Sequence, residues 1–223
     1  MAIKLPGSFS EYFFKHRIML LLITILSFII GGPFVDDIFH FEVIPDIFLT
    51  IIFTFGIYAI SRKKKDIYIA LFLAVPMYIA TWSSHLLKNI DIFIVGHLFG
   101  AILIGFLIKV LINFIFFQKE VTKEIIFAAV VVYLLLALLW AFAYSILDYF
   151  YPNSVRFPEI SSPDFYRYLY FSFVTITTLG YGDVLPLTQK AGSLVILEAV
   201  TGQIYLVVVV AWLVGMYVSR RLK

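Results

Sequence analysis

Six apolar runs of 18 to 28 residues follow one another along the chain, with little sequence between them. They lie at Ile18–Val35, Val43–Ile60, Ile67–Leu87, Ile90–Phe117, Ile125–Phe150 and Ala191–Val218. A helix crossing the hydrocarbon core of a bilayer needs about 20 predominantly apolar residues, more than a helix buried in a water-soluble domain requires. Each run is therefore read as a membrane span, and the fold class is an all-α membrane protein with six transmembrane helices. The first two runs have short apolar centres and must draw on flanking residues to complete a crossing. With 62% apolar residues and only 14% charged ones, the solvent for most of the surface is lipid.

The placement of charge favours an even number of spans. With the N-terminus in the cytoplasm, the cytoplasmic segments hold Lys4, Lys15, Arg17, the run Arg62-Lys63-Lys64-Lys65, Lys119, Lys123, Arg220, Arg221 and Lys223, which is 12 of the 17 Lys and Arg. The other side holds Lys88, Arg156, Arg167 and Lys190, and Lys109 falls inside the fourth span. Basic residues are retained on the cytoplasmic side, so both termini are expected there, in a multi-pass protein of the plasma membrane. The Arg62–Lys65 run reads as a topology anchor rather than a lipid-binding patch. These basic residues sit in separate loops, which argues against a nucleic-acid partner. The chain has no cysteine, so disulfide and thiolate chemistry are excluded. After the first run, Gly31-Gly32-Pro33 leads into acidic residues without a small-residue cleavage site, so the first helix is expected to be retained.

The connection between the fifth and sixth runs differs from the others. Tyr151-Pro152-Asn153-Ser154 opens it as a turn, Pro158 and Pro163 follow, and the sequence is apolar again from Phe165 to Thr177. Ser161 or Ser162 and Asp164 offer N-cap oxygens around Pro163, which suits a first helical position. A helix over 165–177 is predicted, too short to cross a membrane. A helix that enters and stops is followed by irregular backbone, which survives at membrane depth only if buried in protein or lining water. That backbone is Thr177-Thr178-Leu179-Gly180-Tyr181-Gly182-Asp183. Glycine at alternate positions admits dihedrals that a Cβ resists, so successive carbonyls can point one way. A row of carbonyl oxygens can replace the water shell of a cation, offsetting the cost of taking its charge out of water. The C-terminal end of the helix, at Thr177, brings its negative dipole end to the same place.

Thr178-Leu179-Gly180-Tyr181-Gly182-Asp183 resembles the filter signature of the potassium-channel superfamily, and the resemblance extends over Ile125–Val218. Leu179 is its one departure, standing where valine is commoner. The resemblance implies a six-transmembrane, non-voltage-gated channel of bacterial type. Its pore domain would occupy residues 121–223, with a re-entrant pore helix at 165–177 and a selectivity filter at 178–182. Thr178, Leu179, Gly180, Tyr181 and Gly182 would bind the permeant ion, K+, which is the only cofactor-like species implied. Because the chain carries one filter copy, four chains must surround one pore as a homotetramer. Thr178 would add a hydroxyl oxygen, and Tyr181 would splay outward against the pore helix.

Support for the filter is expected from Thr177, Asp183 and Tyr170. Asp183 matches the family's carboxylate that bonds an aromatic residue of the pore helix, and Tyr170 holds that aromatic position, where tryptophan is more usual. Val174 stands where some relatives carry a glutamate, so that brace is absent. Gly202, twenty residues beyond Gly182, falls where the family carries a hinge glycine; it can equally serve close helix packing. Gly215 reads as a packing residue. Glu198, one turn before Gly202, is an acidic residue inside a span and therefore a functional candidate. It is expected near or behind the base of the filter. There it would either be protonated and bonded to the pore helix or face the cavity and draw in cations.

Residues 1–120 form a separate four-helix module in the position of a voltage sensor. Voltage sensing needs several charges within the field, but the fourth span offers only His97 and Lys109 and no arginine. His97 reads as a packed histidine, and Lys109 as a side chain that snorkels to the helix end. The five residues after the last span leave no room in this chain for a nucleotide-binding or regulatory domain, and no glycine-rich phosphate loop is present. Gating by a domain of this chain is thus not expected, and an unidentified gating ligand or partner is one source of the stimulus, which the sequence does not name. Two other readings are disfavoured. A weakly selective cation pore is opposed by Tyr181 with both glycines, and a potassium-translocating subunit by the single, intact filter segment. No residue set at usable spacing suggests an enzyme.

Overall fold

The computed structural model describes residues 16–39, 43–61, 63–87, 90–118, 120–158 and 165–221. The cap candidates Ser161, Ser162, Pro163 and Asp164 lie outside the described residues, as do Lys4, Lys15, Arg62, Lys88, Lys119 and Lys223. Among those described, the chain is almost wholly helical. The helices are α1 (Arg17–Phe39), α2 (Ile44–Ala59), α3 (Lys64–Leu87), α4 (Ile90–Phe116), α5 (Lys123–Phe150), α6 (Phe165–Ile176) and α7 (Gln189–Arg221). Two-residue strands, β1 (Val155–Arg156) and β2 (Leu185–Pro186), complete the order around α6.

α3, α4, α5 and α7 are long and apolar enough to cross a membrane. α1 and α2 occupy the first two apolar runs, and α2, with 16 residues, is the shorter helix, in keeping with the short apolar centre of its run. This is a helical, membrane-protein architecture. Local sequence explains several boundaries. α2 starts with Pro45 in its first turn and Asp46 beside it, a ring that needs no donor and an acid at the positive helix end. α5 starts after Thr122, whose Oγ1 accepts from the Ile125 amide at 3.4 Å. Pro76 lies inside α3, where neighbouring helices can re-satisfy the backbone it disrupts.

α5 is the hub. α3 pairs with α4 and α1 with α2, and both α4 and α1 then pack on α5; α5 in turn supports α6 and α7. Fully enclosed side chains run through this junction: Leu21 and Ile25 of α1, Ile52 of α2, Leu103 and Leu107 of α4, and Val131, Leu135 and Leu138 of α5. One continuous core therefore joins the first four helices to the α5–α7 unit. α7 is the contrast, since its apolar side chains, such as Ile196, Ile204 and Val207, are largely exposed in the single chain.

Candidate functional site

α6 is held at three places. At its start, Asp148 near the end of α5 organises the surroundings. It accepts from the Tyr168 hydroxyl at 2.8 Å and from the Ser154 amide at 3.0 Å, and Arg167 lies 3.9 Å away. Arg167 also donates to the Tyr168 hydroxyl at 2.7 Å and lies over the Phe157 ring. At the other end, the Tyr133 hydroxyl of α5 donates to the Ile176 carbonyl at 3.0 Å, satisfying one of the last carbonyls a helix leaves without a partner.

The third place is a buried junction of three helices. Glu198 of α7 has no exposed surface. Its Oε2 accepts from the Tyr144 hydroxyl of α5 at 2.5 Å, and its Oε1 contacts the Ser172 hydroxyl of α6. The same Ser172 Oγ lies 2.6 Å from the Ala137 carbonyl of α5. Within the chain, Glu198 lies behind α6 with no exposed surface and is bonded to it through Ser172. It also provides a brace in spite of Val174, because the carboxyl arrives from α7 rather than from α6.

The loop after α6 has an unusual backbone. Positive φ recurs at alternate residues: Thr178 at 58°, Gly180 at 56° and Gly182 at 79°. Glycine takes this region at no steric cost, whereas Thr178 takes it at some cost. The amides of Leu179 and Gly180 both donate to the Val174 carbonyl, at 3.0 and 3.2 Å. The peptides are trans, so the C=O of each planar unit lies opposite its N–H. The carbonyls of Thr178 and Leu179 are thereby turned away from α6, towards the open face of the loop. Helix α6 itself ends at Ile176, one residue short of the expected Thr177.

The flanks of the loop are pinned. The Tyr170 hydroxyl donates to Asp183 Oδ2 at 2.7 Å, and Asp183 Oδ1 accepts from the Val184 amide at 3.1 Å. Hydrogen bonding from Tyr170 holds the Asp183 carboxyl below the usual carboxylate range. β1 pairs antiparallel with β2, matching Val155 with Pro186 and Arg156 with Leu185. Lys190 Nζ lies 3.2 Å from the centroid of the Tyr151 ring, and its hydrogen bonding, then its charge, lowers the pKa of that phenol. Tyr181, expected to lie against α6, is 67% exposed; any such packing is not completed within one chain.

Gly202 also sits differently from a free hinge. A Cβ there would come within 2.6 Å of Ile176 Cγ1 and 2.8 Å of the Ile176 carbonyl, so its lack of a side chain lets α7 meet the end of α6. Gly215 has open space around it within the chain. His97 is buried among Phe93, Phe142 and Phe165, with Nδ1 3.1 Å from the Phe93 carbonyl, a packed histidine as read.

Residues 121–219 match the model of a protein family described as ion channel. No curated protein and no solved structure matches the chain. The match covers less than half the chain but includes α5, α6, the loop after it, the two strands and most of α7, from the cap of α5 to the last turns of α7. Helices α1–α4 lie outside it. Within the matched segment, sequence reasoning singled out Thr177–Asp183, Tyr170, Glu198 and Gly202, and the structure gathers them around α6. It missed Asp148, Tyr133, Tyr144 and Ser172. These are polar residues on apolar helices, and that rarity was the available signal.

Proposed function

We propose that this chain is one subunit of a homotetrameric potassium-selective channel that conducts K+ past the carbonyls of residues 178–182. One observation carries the reading: two consecutive loop amides are tied back to Val174, which turns the carbonyls on the far side of those peptides to the open face. Alternating positive φ extends the same arrangement through Gly182. Such a row offers a dehydrated cation uncharged oxygen ligands, strong enough to admit it and weak enough to release it. Thr178, Leu179, Gly180 and Tyr181 would supply the coordinating oxygens.

The need for several chains follows from exposure. Leu179 is 54% exposed and Tyr181 67% exposed, yet irregular backbone at membrane depth must be enclosed by protein or line water. Four copies around a central axis meet both conditions. Glu198, Ser172 and Tyr144 would then act as a buried brace behind each pore helix. The termini would lie in the cytoplasm, with the Tyr170–Asp183 bond at the outer mouth. With no arginine series in α4, opening would depend little on voltage.

The test is current from the purified chain reconstituted into a planar bilayer, with potassium on one side and sodium on the other. A reversal near the potassium equilibrium potential, lost in Gly180→Ala, is expected. A reversal near zero in the unaltered chain would leave a cation pore without selectivity and overturn the potassium reading.

A further inference from the structure

At the end of the bundle where α2 ends and α3 begins, a cavity of about 530 Å³ opens between α1, α2, α3 and α4. Its size falls within the roughly 300–1,000 Å³ of small-ligand sites. Its polar lining is Lys63 and Lys65 from the start of α3, Lys109 and Asn113 from α4, together with Asp66 and Gln118. Three lysines and one aspartate thus line one space, and among the described residues none of the three lysines has an ion-pair partner. Phe106, Val110 and Phe117 form an apolar side of the same space.

Lys109 makes the arrangement informative. It lies seven residues before the end of α4, roughly 10 Å along the helix axis from that end. An ammonium at that depth is expensive in a lipid environment unless it reaches water or an anion. Snorkelling towards the helix end relieves a single lysine. Here Lys109 lines the same open cavity as the exposed Lys63 and Lys65, so an anion entering it would meet three positive charges.

We propose that this cavity binds the phosphate-bearing headgroup of an anionic membrane lipid, with Lys63, Lys65 and Lys109 contacting the phosphate. Two features favour a lipid over free phosphate: the depth of Lys109, and the apolar wall along which an acyl chain can lie. Basic pockets between helices near one face of a membrane suit such headgroups electrostatically. The occupied site would join α3 to α4 through the lipid and give the three lysines that line one cavity a shared counter-charge. The proposal rests on the membrane setting of the helices and not on conduction.

Native mass spectrometry of the full chain, released from detergent with phosphatidylglycerol or phosphatidylcholine added, tests it. The unaltered chain should retain phosphatidylglycerol over phosphatidylcholine by about tenfold or more. The preference should vanish in Lys63→Gln/Lys65→Gln/Lys109→Gln and persist in Lys64→Gln, whose residue does not line the cavity. If the triple variant loses helicity, Lys109→Gln alone should still reduce the preference several-fold. Equal retention of the two lipids by the unaltered chain, or an undiminished preference in folded lysine variants, would overturn the proposal. So would displacement of phosphatidylglycerol by millimolar inorganic phosphate, which would assign the site to a soluble anion. Because the readout is retained lipid, the result stands whether or not the chain conducts potassium.

Discussion

A single hydroxyl proton cannot serve two acceptors, and that restricts the junction behind α6. Ser172 Oγ lies within hydrogen-bonding reach of both the Ala137 carbonyl and Glu198 Oε1. Its own proton satisfies one contact, so the other requires a proton on the carboxyl side. Glu198 carrying that proton, donating to Ser172 while Ser172 donates to Ala137, satisfies the whole chain of contacts. Glu198→Gln should therefore be tolerated, since its amide can donate to Ser172 and its carbonyl can accept from Tyr144. Glu198→Ala should lose about 1–3 kcal/mol by leaving buried polar groups unpaired. Thermal unfolding in detergent distinguishes the two, and a glutamine as destabilising as alanine would point to an ionised Glu198. Gly202 allows a second comparison. Gly202→Ala drives a Cβ against the Ile176 carbonyl and should cost about 1–3 kcal/mol through overpacking. Gly215→Ala meets nothing within the chain and should be neutral or slightly stabilising. If Gly202 were instead a hinge, its alanine variant would change opening while leaving the unfolding midpoint in place.

At the scale of the element, α6 and its loop depend on tethers from outside themselves. Tyr170 and Asp183 form one that responds to pH. Because the bond lowers the Asp183 pKa in the folded chain, its stabilisation is fully present above the ordinary carboxylate pKa. It is lost only as pH falls through the lowered value. If the chain conducts as proposed, its currents should therefore withstand acidification of the Asp183 side well into the acidic range. Tyr170→Phe removes the donor, and its currents should fail at a higher pH. Loss of current at the same pH in both would show that the bond does not hold the loop. The helices around this site were legible because their apolar runs are long, and the loop because glycine recurs at alternate positions. The three-helix junction was not: Ser172 and Tyr144 stand 26 and 54 residues from Glu198 in sequence, and only packing brings them to it. Asp148 was hidden for the same reason, as its partners Ser154, Arg167 and Tyr168 belong to a turn and a helix that follow it.

For the whole molecule, the question is whether α1–α4 drive the α5–α7 unit or support it. They share one apolar core with α5, so a displacement of α4 would be felt at α5. Voltage could produce such a displacement only by acting on charge within the membrane. In α4 the residues available are Asp91 in the first turn, buried His97, and Lys109. Apart from buried His97, Lys109 is the sole basic residue of this helix, and four chains would contribute at most about four lysine charges, against the three to four per subunit of a strongly voltage-gated channel. The fitted gating charge of reconstituted channels should therefore be at most about four, with a shallow rise of open probability across the accessible voltages. A conductance–voltage curve requiring ten or more charges would contradict this and assign α1–α4 a sensor role through charges elsewhere. A shallow curve would instead fit a module that encloses α5 and leaves control of opening to other stimuli. In that case Lys109→Gln should leave the voltage dependence nearly unchanged, although it removes the one cation of α4 that lies at membrane depth.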